Sequence, residues 1–258
     1  MYVGLAWHFW NTRWRTQSKG TLQGWERAAI LVPLGLHAWL LYHGVFGKEL
    51  RFGFAQALSV MMFIGVALYW LESLFYSLEG MQPLVLPLAA LAAPLPALFP
   101  GLASSGAHAQ ATEFKLHLAL AMIAYGLFVI ALMHATLMAV AERQLHRKGT
   151  AAFPHLPPLL TLETLLFRMI GAAFVFLTLT LVTGIAFSEE LFGRAMRFEH
   201  KTVFAVVSWL IFGLLLAGRW RYGWRGRTAL RWTLSGFVML LLAYVGSRFV
   251  LEVLLGRS

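Results

Sequence analysis

Long apolar stretches separated by short polar loops dominate this chain. A helix of about 20 apolar residues crosses a bilayer, because its backbone groups pair within the helix. Seven runs approach this length, at 28–46, 52–77, 83–103, 117–141, 166–187, 202–218 and 230–254, and a shorter run covers 1–10. The pattern predicts an all-α, polytopic transmembrane helical bundle with seven to eight spans, built as a single integral membrane domain over residues 1–258.

The first run, residues 1–10, is the doubtful span. Ten residues of helix reach only about 15 Å, which is half of the hydrocarbon thickness. The run lacks a charged leading region and a small-residue cleavage site, which argues against a cleaved signal peptide. It is interpreted either as an interfacial helix or as the tail of a span whose start lies upstream.

The fourth run is interrupted by prolines. Each proline removes a backbone donor and clashes with the preceding turn, so a straight helix is not expected. A kinked or partly unwound helix, covered by its neighbours, is predicted instead. The prolines are Pro83, Pro87, Pro94, Pro96 and Pro100.

Composition supports the membrane assignment and limits the chemistry. The chain is 59% hydrophobic and only 12% charged, which excludes an ordinary soluble domain. Its net charge of +10 comes from Lys and Arg in short loops, a pattern that orients a protein in a bilayer, and nucleic acid is not expected as a partner. The absence of cysteine excludes disulfides, thiol exchange and thiolate ligands.

The loops that follow the first, fifth and seventh runs hold more Lys and Arg than the alternate loops. These loops begin near Arg13, Arg143 and Arg219, and the positive-inside rule makes them cytoplasmic in an inner (cytoplasmic) membrane. Two histidines, His117 and His200, then lie together on the outer face.

His117 and His200 each begin an apolar run, and two neutral imidazoles facing one another across a shallow pocket are suited to axial ligation of a haem iron. Polar residues at helix mouths are also common without any ligand. His37 lies mid-span, where it is either functional or simply hydrogen-bonded to a neighbouring helix. His134 follows His117 by 17 residues, about 25 Å along the helix, and cannot share its site.

The remaining intramembrane charges have structural interpretations. Arg248 and Glu252 are four residues apart and are expected to pair on one helix face. Glu72 and Arg168 lie near the inner boundary, where their side chains are expected to extend to the headgroups.

Four segments between Lys115 and Val245 resemble the integral-membrane cytochrome c assembly superfamily, the haem-handling proteins of the CcsA and CcmC type, and most closely its HemX-like inner-membrane branch. The segments are KLHLALAMIAYGLF, LETLLFRMIGAAFVFLTLTLVTGI, EHKTVFAVVSWLIFG and GWRGRTALRWTLSGFVMLLLAYVG. The resemblance divides the chain into N-terminal spans (1–110) and an assembly-like region (115–247).

The resemblance implies a haem-handling factor rather than an enzyme of the ordinary kind. In that superfamily, outer-face histidines ligate haem beside a tryptophan-rich loop that presents it to apocytochrome c. His117 matches a haem-associated histidine, and His37 corresponds to the membrane-embedded histidine of some members. Trp209 matches a family tryptophan and is either a packing aromatic or part of the cofactor-binding slot. Haem, apocytochrome c and other biogenesis proteins are the implied partners, besides the lipid bilayer.

One departure from the superfamily keeps an alternative open. The tryptophan-rich loop would lie just before Glu199, but the segment LFGRAMRFE contains no tryptophan, and His200 stands where the family has a proline. A non-catalytic scaffold or accessory subunit that has lost haem presentation is therefore the alternative. A b-type electron-transfer cytochrome is less favoured, because only His37 and His134 lie deep enough for paired transmembrane ligands.

Overall fold

The structure, a computed structural model, describes residues 1–14, 23–45, 50–78, 80–101, 103–104, 111–146, 157–192 and 200–255. Nearly all of these residues are helical. The elements are α1 (Tyr2–Phe9, continued by a π-helical turn Trp10–Trp14), α2 (Gly24–Val45), β1 (Leu50–Arg51), α3 (Phe54–Ser73), α4 (Gln82–Ala92), α5 (Leu95–Leu98), β2 (Ala103–Ser104), α6 (Thr112–His146), α7 (Leu159–Phe192), α8 (His200–Tyr222) and α9 (Gly226–Leu241). The helix of α9 then continues to Leu254. This continuation consists of a π-helical turn (Leu242–Gly246), α10 (Ser247–Phe249) and a second π-helical stretch (Val250–Leu254).

Six helices within the described ranges are long and apolar enough to cross a membrane: α2, α3, α6, α7, α8 and the continuous helix from α9 to Leu254. This confirms the predicted polytopic helical bundle. The number of seven to eight spans is not confirmed. The first predicted run is the eight-residue α1, and the fourth is the shorter pair α4 and α5, which together cover Gln82–Leu98.

The predicted interruption of the fourth run lies between α4 and α5, where the chain turns at Ala93 and Pro94. Gln56 anchors the far end of this irregular segment to α3. Its side-chain oxygen accepts the Gly53 N–H at 3.0 Å, and its amide donates to the Phe99 carbonyl at 3.2 Å. Gln56 is buried, so these bonds satisfy polar groups that lipid could not.

One end of the bundle collects several chain segments that are distant in sequence. β1 pairs antiparallel with β2, with Leu50 opposite Ser104, which joins the segments that follow α2 and α5. The Glu252 carboxylate lies against Gly53 at the same end. The helices run alternately up and down, so His117 near the start of α6 also belongs here, and this is called the His117 end.

The opposite end, called the Arg219 end, is tied together by polar contacts. Arg219 at the end of α8 forms an ion pair of 2.6 Å with Glu163 near the start of α7. The Trp70 indole near the end of α3 donates to the Arg27 carbonyl at 3.1 Å. The charge count predicts that this end is cytoplasmic.

Helix α6 forms the centre of the bundle and contacts α3, α7 and α9. Most of its side chains between Met122 and Ala141 are buried, as expected of a helix that is apolar on every face. A Cβ atom at Gly126 would collide with Ile64, so α3 and α6 approach closely only because this residue is glycine. The surrounding helices therefore fix the position of α6 and the orientation of its buried side chains.

Helix α1 packs against α4 and reaches α2 at two points. The Tyr2 hydroxyl lies 3.3 Å from Nδ1 of His37, and Nε2 of His8 lies 3.5 Å from a Glu26 carboxylate oxygen. Because Glu26 precedes His37 on α2, α1 runs alongside α2 in the opposite direction. Tyr2 therefore lies level with the mid-span His37, and α1 packs along the side of α2 with Val3 and Trp7 exposed.

Two expectations about charged residues are wrong. Arg248 and Glu252 form no ion pair among the described residues; the Arg248 guanidinium lies over the Tyr244 ring at 5.9 Å, while Glu252 faces Gly53. Glu72 does not extend to the headgroups, because its side chain is buried beside His134. Arg168 is exposed, as expected, and donates to the Tyr76 hydroxyl at 3.0 Å.

Candidate functional site

The half-buried His117 side chain at the His117 end is fixed by α7. Its Nδ1 lies 3.0 Å from the Thr183 hydroxyl oxygen. The next residue, Gly184, makes room for the ring, since a Cβ atom there would lie only 3.2 Å from Cε1 of His117. Any larger residue at position 184 would therefore push the imidazole away from α7.

The Thr183 contacts favour one tautomer of His117. The Thr183 hydroxyl lies 2.8 Å from the Leu179 carbonyl oxygen and 3.1 Å from that of Thr180, and carbonyls only accept hydrogen bonds. The Leu179 carbonyl is the nearest acceptor for its single hydrogen, which favours the arrangement in which its oxygen accepts from Nδ1–H of His117 at 3.0 Å. The lone pair of the neutral imidazole is then on Nε2. This is how metal-binding histidines are usually prepared, with one nitrogen donating and the other free to ligate.

Trp209 on α8 is held in a similar way. Its indole N–H donates to the Thr178 hydroxyl at 2.9 Å, and that hydroxyl donates to the Phe174 carbonyl at 2.8 Å. The indole also stacks on the Phe174 ring, with centroids 5.5 Å apart. Because its only polar atom is already bonded, Trp209 offers a cofactor only the surface of its ring.

Trp209 and His117 contact different sides of α7. Their partners, Thr178 and Thr183, are five residues apart, which corresponds to a rotation of about 140° around the helix. The structure assigns no contact between the two side chains in the ranges it describes. Trp209 has a packing role here, and its place in a cofactor site stays a prediction.

His200 is the first residue of α8 and is exposed. Its neighbour Lys201 is close enough to His117 for the two side chains to interact electrostatically, which places the start of α8 near His117. The structure thus places His117 and His200 at the same end of the bundle, as predicted, although no contact joins them. Arg194 and Arg197, which precede α8 in the sequence and would be suitable cations for the propionates of a haem, lie outside the described residues.

His37 is almost fully buried in α2 and uses both ring nitrogens. Nε2 lies 2.9 Å from the Ser59 hydroxyl, and Nδ1 lies 3.3 Å from the Tyr2 hydroxyl. The Phe63 ring approaches edge-on at 5.6 Å. An iron ligated here would have to displace one of these hydroxyls, so the geometry agrees better with the alternative of a hydrogen-bonded structural imidazole.

The described residues contain no group of three or more His, Asp or Glu side chains that could hold a metal ion. A haem iron needs fewer protein ligands than such a site, because the porphyrin supplies four nitrogens. His117, with Nδ1 committed and its lone pair on Nε2, fits this requirement.

Sequence reasoning did not anticipate Thr183 and Thr178. Threonines in an apolar span are a weak signal, since most donate only to their own helix. Each threonine hydroxyl also contacts a ring nitrogen of a neighbouring helix, of His117 on α6 or of Trp209 on α8. These partners depend on how α7 packs against α6 and α8.

The sequence matches the family described as Cytochrome C assembly protein over residues 24–255. The chain belongs to this family. The match covers every described element from α2 onward, including His37, His117, His200 and Trp209. It agrees with the resemblance found in the region from Lys115 to Val245 and extends it over the N-terminal spans.

Three relatives illustrate the range of similar proteins. The chain is 36% identical to the inner membrane protein YpjD of Escherichia coli (strain K12) over 148 residues, 57% of this chain and 56% of YpjD. It is 37% identical over 142 residues to an uncharacterized 28.8 kDa protein of Azospirillum brasilense, covering 55% of this chain and 52% of the relative. It is 37% identical over 89 residues to the cytochrome c biogenesis protein CcsA of Prochlorococcus marinus (strain MIT 9515), covering 34% of this chain and 28% of CcsA.

The chain thus aligns with about half the length of the first two relatives and with less of CcsA. No solved structure gives a significant match.

Proposed function

We propose that this protein is a multi-pass inner-membrane protein that binds or handles haem during cytochrome c biogenesis, with His117 as an iron ligand at the His117 end of the bundle. The observation that carries the proposal is the Thr183 contact, which holds Nδ1 of His117 at 3.0 Å against α7 and favours Nε2 as the nitrogen that would ligate iron. Membership of the cytochrome c assembly family and the similarity to CcsA support haem as the ligand.

Haem is amphipathic, and the His117 end offers both kinds of surface. Its macrocycle requires an apolar surface, and Leu116, Val182 and Ile185 are exposed apolar side chains near His117 in the sequence of α6 and α7. Its propionates require cations, and Lys115 and Lys201 are both exposed near the start of α6 and α8. Bound haem would supply an iron atom whose axial positions accept imidazole nitrogens. A non-covalent attachment through histidine suits a protein that passes its cargo to another.

In this proposal His200 is the second residue that would hold the haem iron. It is exposed and the described residues give it no fixed partner, so it is free to adjust as haem arrives. Trp209 and His37 are less suited to contact haem, because their polar ring atoms already form hydrogen bonds with neighbouring helices. Apocytochrome c and other biogenesis proteins are the proposed partners.

The test is an absorption spectrum of the purified protein in detergent after loading with haem. Wild-type protein should gain a Soret band, His117→Ala should lose most of it, and His200→Ala should shift it because one axial ligand changes. His43→Ala is the matched control, since His43 is an exposed histidine near the end of α2 at the same end of the bundle. No Soret band in wild type, or an unchanged band in His117→Ala, would refute the proposal.

A second candidate function is that of an accessory subunit that stabilises another membrane complex without binding haem. The observation in its favour is the segment LFGRAMRFE, which lacks the tryptophans expected of a haem-presenting loop. In that case the loaded protein would show no Soret band, while deletion of the protein would still lower the amount of an assembled partner complex in membranes.

A further inference from the structure

A second histidine of α6 contacts a carboxylate inside the bundle. Nε2 of His134 lies 3.3 Å from Oε2 of Glu72, which is the second-last residue of α3. The His134 side chain is completely buried and that of Glu72 is 8% exposed. Neither carboxylate oxygen of Glu72 nor Nε2 of His134 has a hydrogen-bond partner elsewhere in the described part of the chain. The haem proposal uses neither residue.

The backbone determines which nitrogen of His134 is protonated. Nδ1 lies 2.8 Å from the Ile130 carbonyl oxygen, one helical turn earlier, and a carbonyl can only accept. Nδ1 is therefore the N–H donor, and a neutral imidazole would direct its Nε2 lone pair at Glu72. An ionised carboxylate facing that lone pair would be a buried, unpaired negative charge, which is strongly unfavourable.

We propose that Glu72 and His134 together form a buried proton-binding site, which holds one proton between Oε2 and Nε2. The proton resides either on Nε2, giving imidazolium and carboxylate, or on Oε2, giving imidazole and carboxylic acid. Both arrangements have zero net charge and convert the repulsive contact into a hydrogen bond. The ligand of this site is therefore a proton, and the site joins α3 to α6 about 25 Å from His117.

The neighbouring polar groups do not neutralise Glu72 in another way. On α7, Arg168 donates to the Tyr76 hydroxyl. On α2, Arg27 contacts this region through its backbone carbonyl, which accepts from Trp70. Within the described ranges, His134 is the only cationic or potentially cationic side chain within ion-pair distance of Glu72.

Infrared difference spectroscopy of the purified protein, with isotope-labelled glutamate and histidine, tests the proposal directly. Wild type minus Glu72→Gln should show loss of the shared proton signal, either a protonated carboxyl band or imidazolium bands. Glutamine cannot bind that proton, and the buried His134 that remains beside it is neutral. Difference bands from an ionised carboxylate beside a neutral imidazole would overturn the proposal.

The Glu163–Arg219 pair is the matched control. A guanidinium keeps its protons, so Glu163 facing Arg219 at 2.6 Å must be an ordinary carboxylate. Wild type minus Glu163→Gln should therefore show only carboxylate bands. If the Glu72 difference spectrum has the same form as that of Glu163, without imidazolium bands, no proton is shared.

Thermal unfolding provides a second, independent measurement. In Glu72→Gln the amide can donate to Nε2 of His134 and so replace the shared proton, and the melting temperature should not rise above that of wild type. A clear rise in melting temperature would mean that wild type holds an unpaired carboxylate and that its removal stabilises the fold. This outcome contradicts the proposal. The double variant Glu72→Leu with His134→Leu should unfold at a higher temperature than either single leucine variant, because both polar partners are removed together.

Discussion

Helix α6 presents the same side chain at two levels, and the two histidines have different surroundings. His117 and His134 each have Nδ1 committed as a donor, to a threonine hydroxyl of α7 in one case and to the helix backbone in the other. They differ in what Nε2 faces. At His117 it carries a lone pair near the open end of the bundle, whereas at His134 it faces the buried carboxylate of Glu72.

Under the two proposals, the tautomer alone does not make a histidine a metal ligand. The surroundings of the second nitrogen decide whether it is available to iron or occupied by a proton. In the buried position, the low dielectric of the interior requires a neutral pair, while the partly exposed position allows a ligand to approach.

The largest expected effect separates the two histidines by their haem binding. His117→Ala should lose most of the Soret band of the haem-loaded protein, because its ligating nitrogen is removed, whereas His134→Ala should retain the band. Absorption spectra of both variants at equal protein concentration provide the measurement. A loss of the band in His134→Ala, in protein that remains folded, would contradict the expected difference in haem binding between the two histidines.

A large effect on stability is expected at the buried histidine. Glu72→Ala leaves Nε2 of the buried His134 without a partner, and an unsatisfied buried polar atom costs about 1–3 kcal/mol. Unfolding in a mild detergent with increasing denaturant, followed by circular dichroism, measures the change. Glu113→Ala, which removes an exposed carboxylate at the other end of α6, is the control and should change stability by about 0.5 kcal/mol or less. Equal effects of the two substitutions would show that the Glu72 contact contributes nothing.

A smaller effect is expected from the hydroxyl that orients His117. Thr183→Val removes the acceptor for Nδ1–H while keeping the shape of the side chain, and loss of such an outer partner typically lowers metal affinity about 10–100-fold. Haem titration followed in the Soret region measures the dissociation constant. Thr183→Ser restores the hydroxyl and should recover most of the affinity, so failure of this rescue would argue against an orienting role.

The smallest effect on haem binding is expected at Thr178, the corresponding hydroxyl on the other side of α7. Thr178→Val leaves the Trp209 indole N–H without an acceptor and should lower stability by about 1–3 kcal/mol, with haem affinity unchanged. Denaturant unfolding and haem titration of the same preparation test both parts. A loss of affinity as large as that of Thr183→Val would place Trp209 in the haem site and remove the distinction between the two sides of α7.

The spans and the break in the fourth run were predictable because they depend on local properties. An apolar run of sufficient length forms a helix in a bilayer whatever its neighbours are, and Pro94 interrupts a helix through its own ring. The alternation of basic loops also placed His117 and His200 at one end, as the structure has them.

The partners of the polar side chains were less predictable. Arg248 and Glu252 had the correct spacing for a pair, but Glu252 faces Gly53 because the π-helical stretch Val250–Leu254 packs against the start of α3. Glu72 had the correct depth to reach the headgroups, but α6 brings His134 against it. Spacing along a helix restricts which side chains can meet, and tertiary packing decides which of them do.

The sequence by itself determined that this is a helical membrane protein of the cytochrome c assembly type, because hydropathy, loop charge and motif order are written along the chain. Only the tertiary structure decided the state of each histidine. Hydrogen-bond partners such as Thr183 and His117 are 66 residues apart, and Glu72 and His134 lie on different helices. Contacts at such separations depend on how the helices pack together, because the two side chains that meet lie on different helices.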